Sequence, residues 1–385
     1  MRTWARLGGT PYGLKPMTGF DCARPSMEMM MEEPTLEYVM EPEHLFRAMR
    51  RCGNGVRWKA TTQKFEVDAL RWAATLRNDV MNGRYKSRGF MRFDVTERGK
   101  TRHIQAVHIS ERTVQKLLCD YALKPTTLPQ LIYDNSASQE GKGVEFALKR
   151  LKEHLRWHYA RFGKSGAVAI MDYSAFFDSI PHAGAIGALT NGIADVRICR
   201  YVADFINAFD GEHGLGLGSE TCQIGAICYP NAIDHFIKER LRIHCYGRYM
   251  DDSYIIHPDR RYVEHCLSEI DGMARRHGLM VNREKTRIHN LASDDFMFLK
   301  KRVRLTESGR ILLRVSRDNF KAEQQRIRAM KEEADAGRIP PKSIRQSYQS
   351  WRGYAGKCDN YGIIGKMDRY FREIMGGSAA GGCRL

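Results

Sequence analysis

Five consecutive apolar residues, Ala167-Val168-Ala169-Ile170-Met171, run straight into an acid, Asp172. An unbroken apolar run of strand length describes a strand covered on both faces, so it belongs inside a sheet with layers above and below. A carboxylate at the end of such a strand costs several kcal/mol if it is desolvated without a partner. A bound cation supplies that partner. A second acidic site is Tyr249-Met250-Asp251-Asp252, within a stretch from 246 to 257 that reads as two short strands around a tight turn. Alone, the pair is a polar turn, because Asp favours turns. Together, Asp172, Asp251 and Asp252 offer hard oxygen ligands for two Mg²⁺ ions, with Mn²⁺ as a substitute. Two such ions about 3.5–4 Å apart activate a hydroxyl and stabilise a pyrophosphate leaving group, which is nucleotidyl transfer.

The charge balance points the same way. With 62 Lys+Arg against 45 Asp+Glu, the 385-residue chain carries +17, which predicts attraction to a polyanion, nucleic acid or an anionic membrane surface. A hydrophobic fraction of 43% with 28% charged residues excludes disorder as the main description and leaves length for two to three domain-sized units. No apolar run reaches about 18 residues and the N-terminus has no signal-like apolar core, so a cytoplasmic protein without a membrane partner is expected. None of the ten cysteines pair at C-x-x-C spacing, and they read as reduced and mostly buried.

Along the chain, residues 1–35 read as loosely ordered, with a Met cluster before Pro34. A helix is predicted from Phe65 to Met81, strands over Met91–Val95 and Arg102–Val107, and a helix capped by Ser110. The helix between Gly141 and Gly163 is amphipathic, with Val144, Leu148, Leu151, Leu155 and Tyr159 on one face and Lys149, Arg150, Lys152, Arg156 and Arg161 on the other. A helix over 221–241 is expected to kink or restart at Pro230, Leu279–Val281 to form a strand, and 318–375 to be helical with a break near Gly337–Pro341. The tail, 376–385, reads as flexible.

Asp172 followed by Tyr173-Ser174-Ala175-Phe176-Phe177-Asp178-Ser179-Ile180-Pro181-His182, and Tyr249–Asp252 some 80 residues later, resemble the first palm motif and the YxDD motif of prokaryotic reverse transcriptases. The resemblance covers about residues 36–375. It implies an α+β right-hand polymerase with fingers over 36–165, a palm with antiparallel sheet over 166–305 and a helical thumb over 306–375. It further implies an RNA template, a DNA or RNA primer and dNTPs as partners, and cDNA as product. Gly99-Lys100-Thr101-Arg102-His103-Ile104 before Glu111-Arg112 is similar to the family's fingers segment, with Glu111 in place of an Asp. Lys100 and Arg102 would then reach the incoming triphosphate. Tyr173 would line the nucleotide and give its backbone to the metal. Phe177 would exclude a ribose 2′-hydroxyl, with Phe176 packing in the core. Lys285 is the implied general acid for the pyrophosphate, and Phe296–Arg302 sits where the primer grip follows. From Lys300 to Glu373 there are 19 Lys+Arg and 9 Asp+Glu, a surplus that suits gripping a duplex.

Leu217-Gly218-Ser219-Glu220-Thr221-Cys222-Gln223 departs from the Gln-Gly and Ser-Pro that most reverse transcriptases carry there. It resembles the variant motif of the diversity-generating retroelement enzymes, with Cys222 in place of their Ser. That resemblance implies error-prone synthesis and a small basic accessory protein. Because Cys222 breaks the pattern, a retron-like or phage-defence enzyme is the alternative. An RNA-binding protein on a catalytically silent polymerase scaffold is the reading from another class.

Overall fold

The computed structural model describes residues 33–97 and 100–376, with the side chains of Glu97 and Lys100 left outside. The Met cluster and the tail beyond Gly376 also lie outside the described residues. Four helices lead off: α1 (Leu36–Val39), α2 (Pro42–Gly53), α3 (Ala60–Val67) and α4 (Ala69–Met81). The single helix expected over 65–81 is thus two, because Asp68 leaves helical geometry (φ −98°, ψ 29°) and the chain restarts after it. Strands β1 (Phe90–Glu97) and β2 (Lys100–Val107) form an antiparallel hairpin whose Met91, Phe93 and Val95 are exposed. The following α5 (Ile109–Leu118) is capped not by Ser110 but by His108, whose Nδ1 accepts from the Ser110 amide at 3.3 Å. A single π-turn carries it into α6 (Lys124–Thr127).

Helix α7 (Val144–Phe162) buries Leu148, Leu151 and Leu155, while Val144 is turned outward. Lys149, Arg156 and Arg161 are exposed, as expected of a cationic face. Arg150 is not part of that face. Its Nε donates to the buried Asp134 carboxylate at 2.6 Å, which Lys238 Nζ also reaches at 2.9 Å. A carboxylate so far inside needs paired cations, and Arg150 is recruited for that purpose.

The apolar run is strand β3 (Ala167–Met171), interior to an antiparallel sheet with β4 (Cys245–Tyr249), β5 (Asp252–His257) and β6 (Arg287–Asn290) in the order β4–β5–β3–β6. Ala169, Met171 and Ile255 pack into one apolar cluster, shared with α9 (His182–Thr190), α10 (Val196–Asn207), α11 (Glu220–Cys228) and α13 (Arg260–Arg276). Val168, Tyr254 and Ile256 pack into another, built with α7 and with β7 (Phe296–Phe298), β8 (Lys301–Leu305) and β9 (Ile311–Val315). Both faces of β3 are therefore covered, which is why its sequence does not alternate. Short helices α8 (Phe176–Ser179) and α12 (Asn231–His235) complete this region, the latter restarting the chain after Pro230. Leu279–Val281 is not a strand but a single bridge, Val281 to Tyr173, and the pairing partner of β3 on that side is the polar β6.

The last three helices, α14 (Arg317–Asp335), α15 (Pro341–Gly356) and α16 (Tyr361–Ile374), close around Ile327, Ile344, Trp351 and Met367. Their second break is fixed by buried Asn360, which accepts from the Val315 amide at 3.2 Å and donates to the Ala355 carbonyl at 2.9 Å. The class is α+β, with the helices and antiparallel sheets of a right-hand polymerase. No helix among the described residues is long and apolar enough to cross a membrane.

Asp195 ties the N-terminal helices to this body: it caps α10 and accepts from the Leu36 amide at 2.8 Å. The Arg197 guanidinium, aided by these amides, lowers its carboxyl from an ordinary 3.8 to about 2. A depressed folded-state value means its contribution is full above the ordinary value and fades as pH falls from 3.8 toward about 2. Asp195→Ala should cost about 0.5–2 kcal/mol at neutral pH, and the denaturation curves of variant and parent should converge through that acid window.

Candidate active site

The ladder brings the three acids together. Met171 pairs with Ser253 across β3 and β5, so Asp172, one residue on, comes level with Asp252. Tyr249 pairs with Asp252, leaving Met250 and Asp251 as the two-residue turn of the β4–β5 hairpin. Met250 sits at φ 55°, a conformation that non-glycine residues rarely adopt outside tight turns.

The local electrostatics are those of an acidic site short of positive charge. Asp172 Oδ2 accepts from Lys285 Nζ at 2.8 Å, while its Oδ1 is buried with no hydrogen-bond partner. Burial, and then the charge of Asp172, raises the Asp251 carboxyl. Burial, then Asp251 and Asp172, pushes Asp252 up to about 6. Lys285 is shifted upward by its hydrogen bond to Asp172. An orphaned buried carboxylate oxygen beside two acids that resist ionisation is a donor set whose chemistry fits a divalent cation. Among the described residues, however, no three Asp, Glu, His or Cys side chains are gathered closely enough to hold one ion.

Lys285 is aimed by an Asx turn. Asn282 Oδ1 accepts from the amides of Glu284 and Lys285, each at 3.1 Å, and the Asn282 amide donates to the Asp172 carbonyl at 2.8 Å. Tyr173 is buried, its ring stacked on Phe176 with centroids 5.7 Å apart. Phe176 is buried in the core and Phe177 only partly so. The Phe177 carbonyl accepts from the Leu215 amide at 2.8 Å, and the Leu217 carbonyl accepts from the Gln105 amide at 3.1 Å. The loop between α10 and α11, which carries Leu215 and Leu217, therefore straps β2 to the segment after Asp172. Arg102 lies exposed on β2 and Lys100 opens that strand. Gly218 and the exposed Gln223 line a pocket with Arg112, Gln115, Lys124 and Ser138.

The sequence reading missed the buried polar residues that hold this loop. Glu111 is fully buried and accepts from Ser87 Oγ (2.7 Å), the Arg88 amide (3.2 Å) and Gln115 Nε2 (3.2 Å). Gln115 Oε1 in turn accepts from Ser219 Oγ at 2.9 Å. The only signal was polar residues interrupting the apolar face of α5.

Residues 86–328 match the family model described as reverse transcriptase (RNA-dependent DNA polymerase). The chain belongs to the reverse transcriptase family. Among solved structures, it is similar to an apo telomerase from Candida tropicalis truncated of its C-terminal domain, at 13% identity and a TM-score of 0.45, over 58% of this chain and 54% of that one. It is also similar to a telomerase from Candida albicans in complex with a TWJ fragment of telomeric RNA, at 10% identity and a TM-score of 0.46, over 79% and 58%. This reverse transcriptase thus spans somewhat over half the length of the telomerase chains it matches. No curated protein matches it in sequence.

Gly218 has φ +120°, and a Cβ there would stand 3.2 Å from the Gln105 carbonyl oxygen. Gly218→Ala should lower unfolding stability by about 1–2 kcal/mol in chemical denaturation and loosen the β1–β2 hairpin to protease, because both strain and contact oppose the methyl.

Proposed function

We propose that this protein is an RNA-directed DNA polymerase that extends a DNA or RNA primer on an RNA template with dNTPs. The observation carrying this reading is the convergence of Asp172, Asp251 and Asp252 at one end of a covered sheet, with Asp252 pushed up to about 6. Such an arrangement is costly unless cations complete it. Asp172, Asp251, Asp252 and the Tyr173 backbone are the groups that would hold two Mg²⁺ ions. Bound there, the ions supply Lewis-acid activation of the primer hydroxyl and charge neutralisation at the leaving pyrophosphate.

The remaining roles fall to the chain's own side chains. Lys285, kept protonated by its contact with Asp172, is placed to give a proton to the pyrophosphate oxygen. Lys100 and Arg102 on the β1–β2 hairpin bind the triphosphate. Phe177 stands against the sugar and disfavours a 2′-hydroxyl. Leu217, Gly218 and Gln223 face the nascent pair. In this reading residues 36–165 are fingers and 166 to about 315 the palm. We start the thumb at α14, because β8 and β9 pair across residue 305 and belong to one sheet. The basic helices after it, with the exposed cations of α7, would flank an RNA–DNA duplex. The cytoplasm is the compartment this reading expects. Asp251→Asn should abolish primer extension while leaving RNA affinity within about twofold, since phosphate contacts rather than the site acids carry binding. Wild-type protein that extends no primer on any RNA with Mg²⁺ or Mn²⁺ would instead support the silent scaffold.

Within that activity we place the enzyme with the diversity-generating retroelement group, copying RNA with low fidelity and working with a small basic accessory protein. Leu217 supports this: where a Gln side chain would hydrogen-bond, Leu offers only apolar contact. Leu217→Gln should lower misincorporation, most of all opposite template adenines, by about tenfold, the worth of one modest hydrogen bond, read by sequencing cDNA from a defined RNA. Rare, evenly spread errors in the parent enzyme would favour the retron-like or phage-defence reading that Cys222 keeps open.

A further inference from the structure

Directly before the acidic turn lies Arg248, and it is entirely inside the protein. Its side chain and that of Asp234 on α12 are both 0% exposed. The guanidinium grips Asp234 in a fork, with Nε at 2.8 Å from Oδ1 and Nη2 at 2.6 Å from Oδ2. Tyr246 O–H donates to the same Oδ1 at 2.5 Å. Two of the three remaining N–H groups go to main chain: Nη2 to the Ile227 carbonyl at 2.8 Å and Nη1 to the Met250 carbonyl at 3.1 Å.

That last bond is the informative one. Met250 is the strained turn residue at φ 55°, and its carbonyl belongs to the peptide that carries Asp251. A buried ion pair is poor value as a source of stability, because desolvating two charges offsets their attraction. Here the pair does something a hydrophobic pair cannot: it presents a fixed donor to the underside of the turn. The same segment is held from its other edge, since the Arg248 amide donates to the Asp134 carbonyl at 3.1 Å and its carbonyl accepts from the Ser136 amide at 2.9 Å.

We propose that Arg248, oriented by Asp234 and Tyr246, is a positioning residue that holds the Met250–Asp251 peptide and thereby sets where the Asp251 and Asp252 carboxylates stand. The proposal rests on the polymerase reading for its rate consequence but not for its structural one. Lys in place of Arg keeps the charge yet cannot span two carboxylate oxygens and two carbonyls at once.

Two variants decide it. Arg248→Lys keeps the ion pair and loses the fork. The triple variant Asp234→Leu, Tyr246→Phe, Arg248→Met removes every member of the network, an exchange that is often neutral or stabilising; the Ile227 carbonyl keeps a donor in Asn135 Nδ2 at 3.2 Å. Each is followed by thermal unfolding, by amide exchange at Met250, Asp251 and Asp252, and by primer extension. The expected result is a triple variant that unfolds near the wild-type temperature but exchanges those amides about tenfold faster or more. Its kcat should fall by about 10²-fold, as about 1 Å of misplacement does, with KM for dNTP within about twofold. Arg248→Lys should show the same pattern more weakly. A folded triple variant with wild-type exchange and kcat overturns the proposal. If the triple variant does not fold, wild-type exchange in a folded Arg248→Lys overturns it equally. Wild-type protein that copies no template sinks the polymerase reading alone, since the exchange measurement still decides the role of Arg248.

Discussion

Everything at the site follows from covering both faces of β3. Ala169 and Met171 face one apolar cluster, and Val168 faces the other, so no residue of the run can be polar until the strand leaves the layers. It leaves at Asp172. Because β5 pairs antiparallel with β3, the hairpin that brings β5 in must turn at that same end, and its turn residues are carried to Asp172 by register rather than by any attraction between acids. The attraction in fact has the opposite sign: the acids raise one another's pKa. The fold therefore does work against electrostatics at this point, which is the arrangement expected where function rather than stability selects the residues.

Positive charge is used in two ways. Among the described residues, much of the excess positive charge lies on surfaces such as the outer face of α7 and the C-terminal helices, where water solvates it. Other cations have defined acidic partners: exposed Lys285 on Asp172, partly buried Arg150 and Lys238 together on Asp134, and fully buried Arg248 on Asp234. A count of basic residues cannot separate these uses. Arg150 reads on a helical wheel as one more exposed cation, and only the buried carboxylate opposite it reveals otherwise.

The fold was legible where a short-range pattern has one physical cause. The apolar run of β3 and the restart after Pro230 are of that kind, and the candidate site acids were legible because carboxylates at strand ends have few structural uses. What escaped depends on distant partners. β6 reads as a polar stretch because it is an edge strand, exposed at both of its ends. The break at Asn360 is set by β9 and α15, not by local propensity. The cap at His108 was hidden by the better-known capping habit of Ser110.

The buried polar residues that escaped form three networks. Glu111 reaches Ser219 through Gln115 and so fixes the loop bearing Leu217 and Gly218. Asp134 collects Arg150 from α7 and Lys238 from the turn after α12, and its backbone carbonyl receives the Arg248 amide. Asp234 orients Arg248 beneath Met250. The first network ends on the Ser219 side chain and the second on strand β4, while the third starts in α12 and ends on the backbone of the turn that carries Asp251. Hydrophobic packing fills space but tolerates small displacements, whereas a hydrogen bond fails steeply with distance and angle. For stability alone, apolar side chains could replace the Arg248–Asp234 pair. A buried charge placed under the Met250–Asp251 peptide suits a turn that must hold its position to a fraction of an ångström, as the proposed two-metal reaction would require of it.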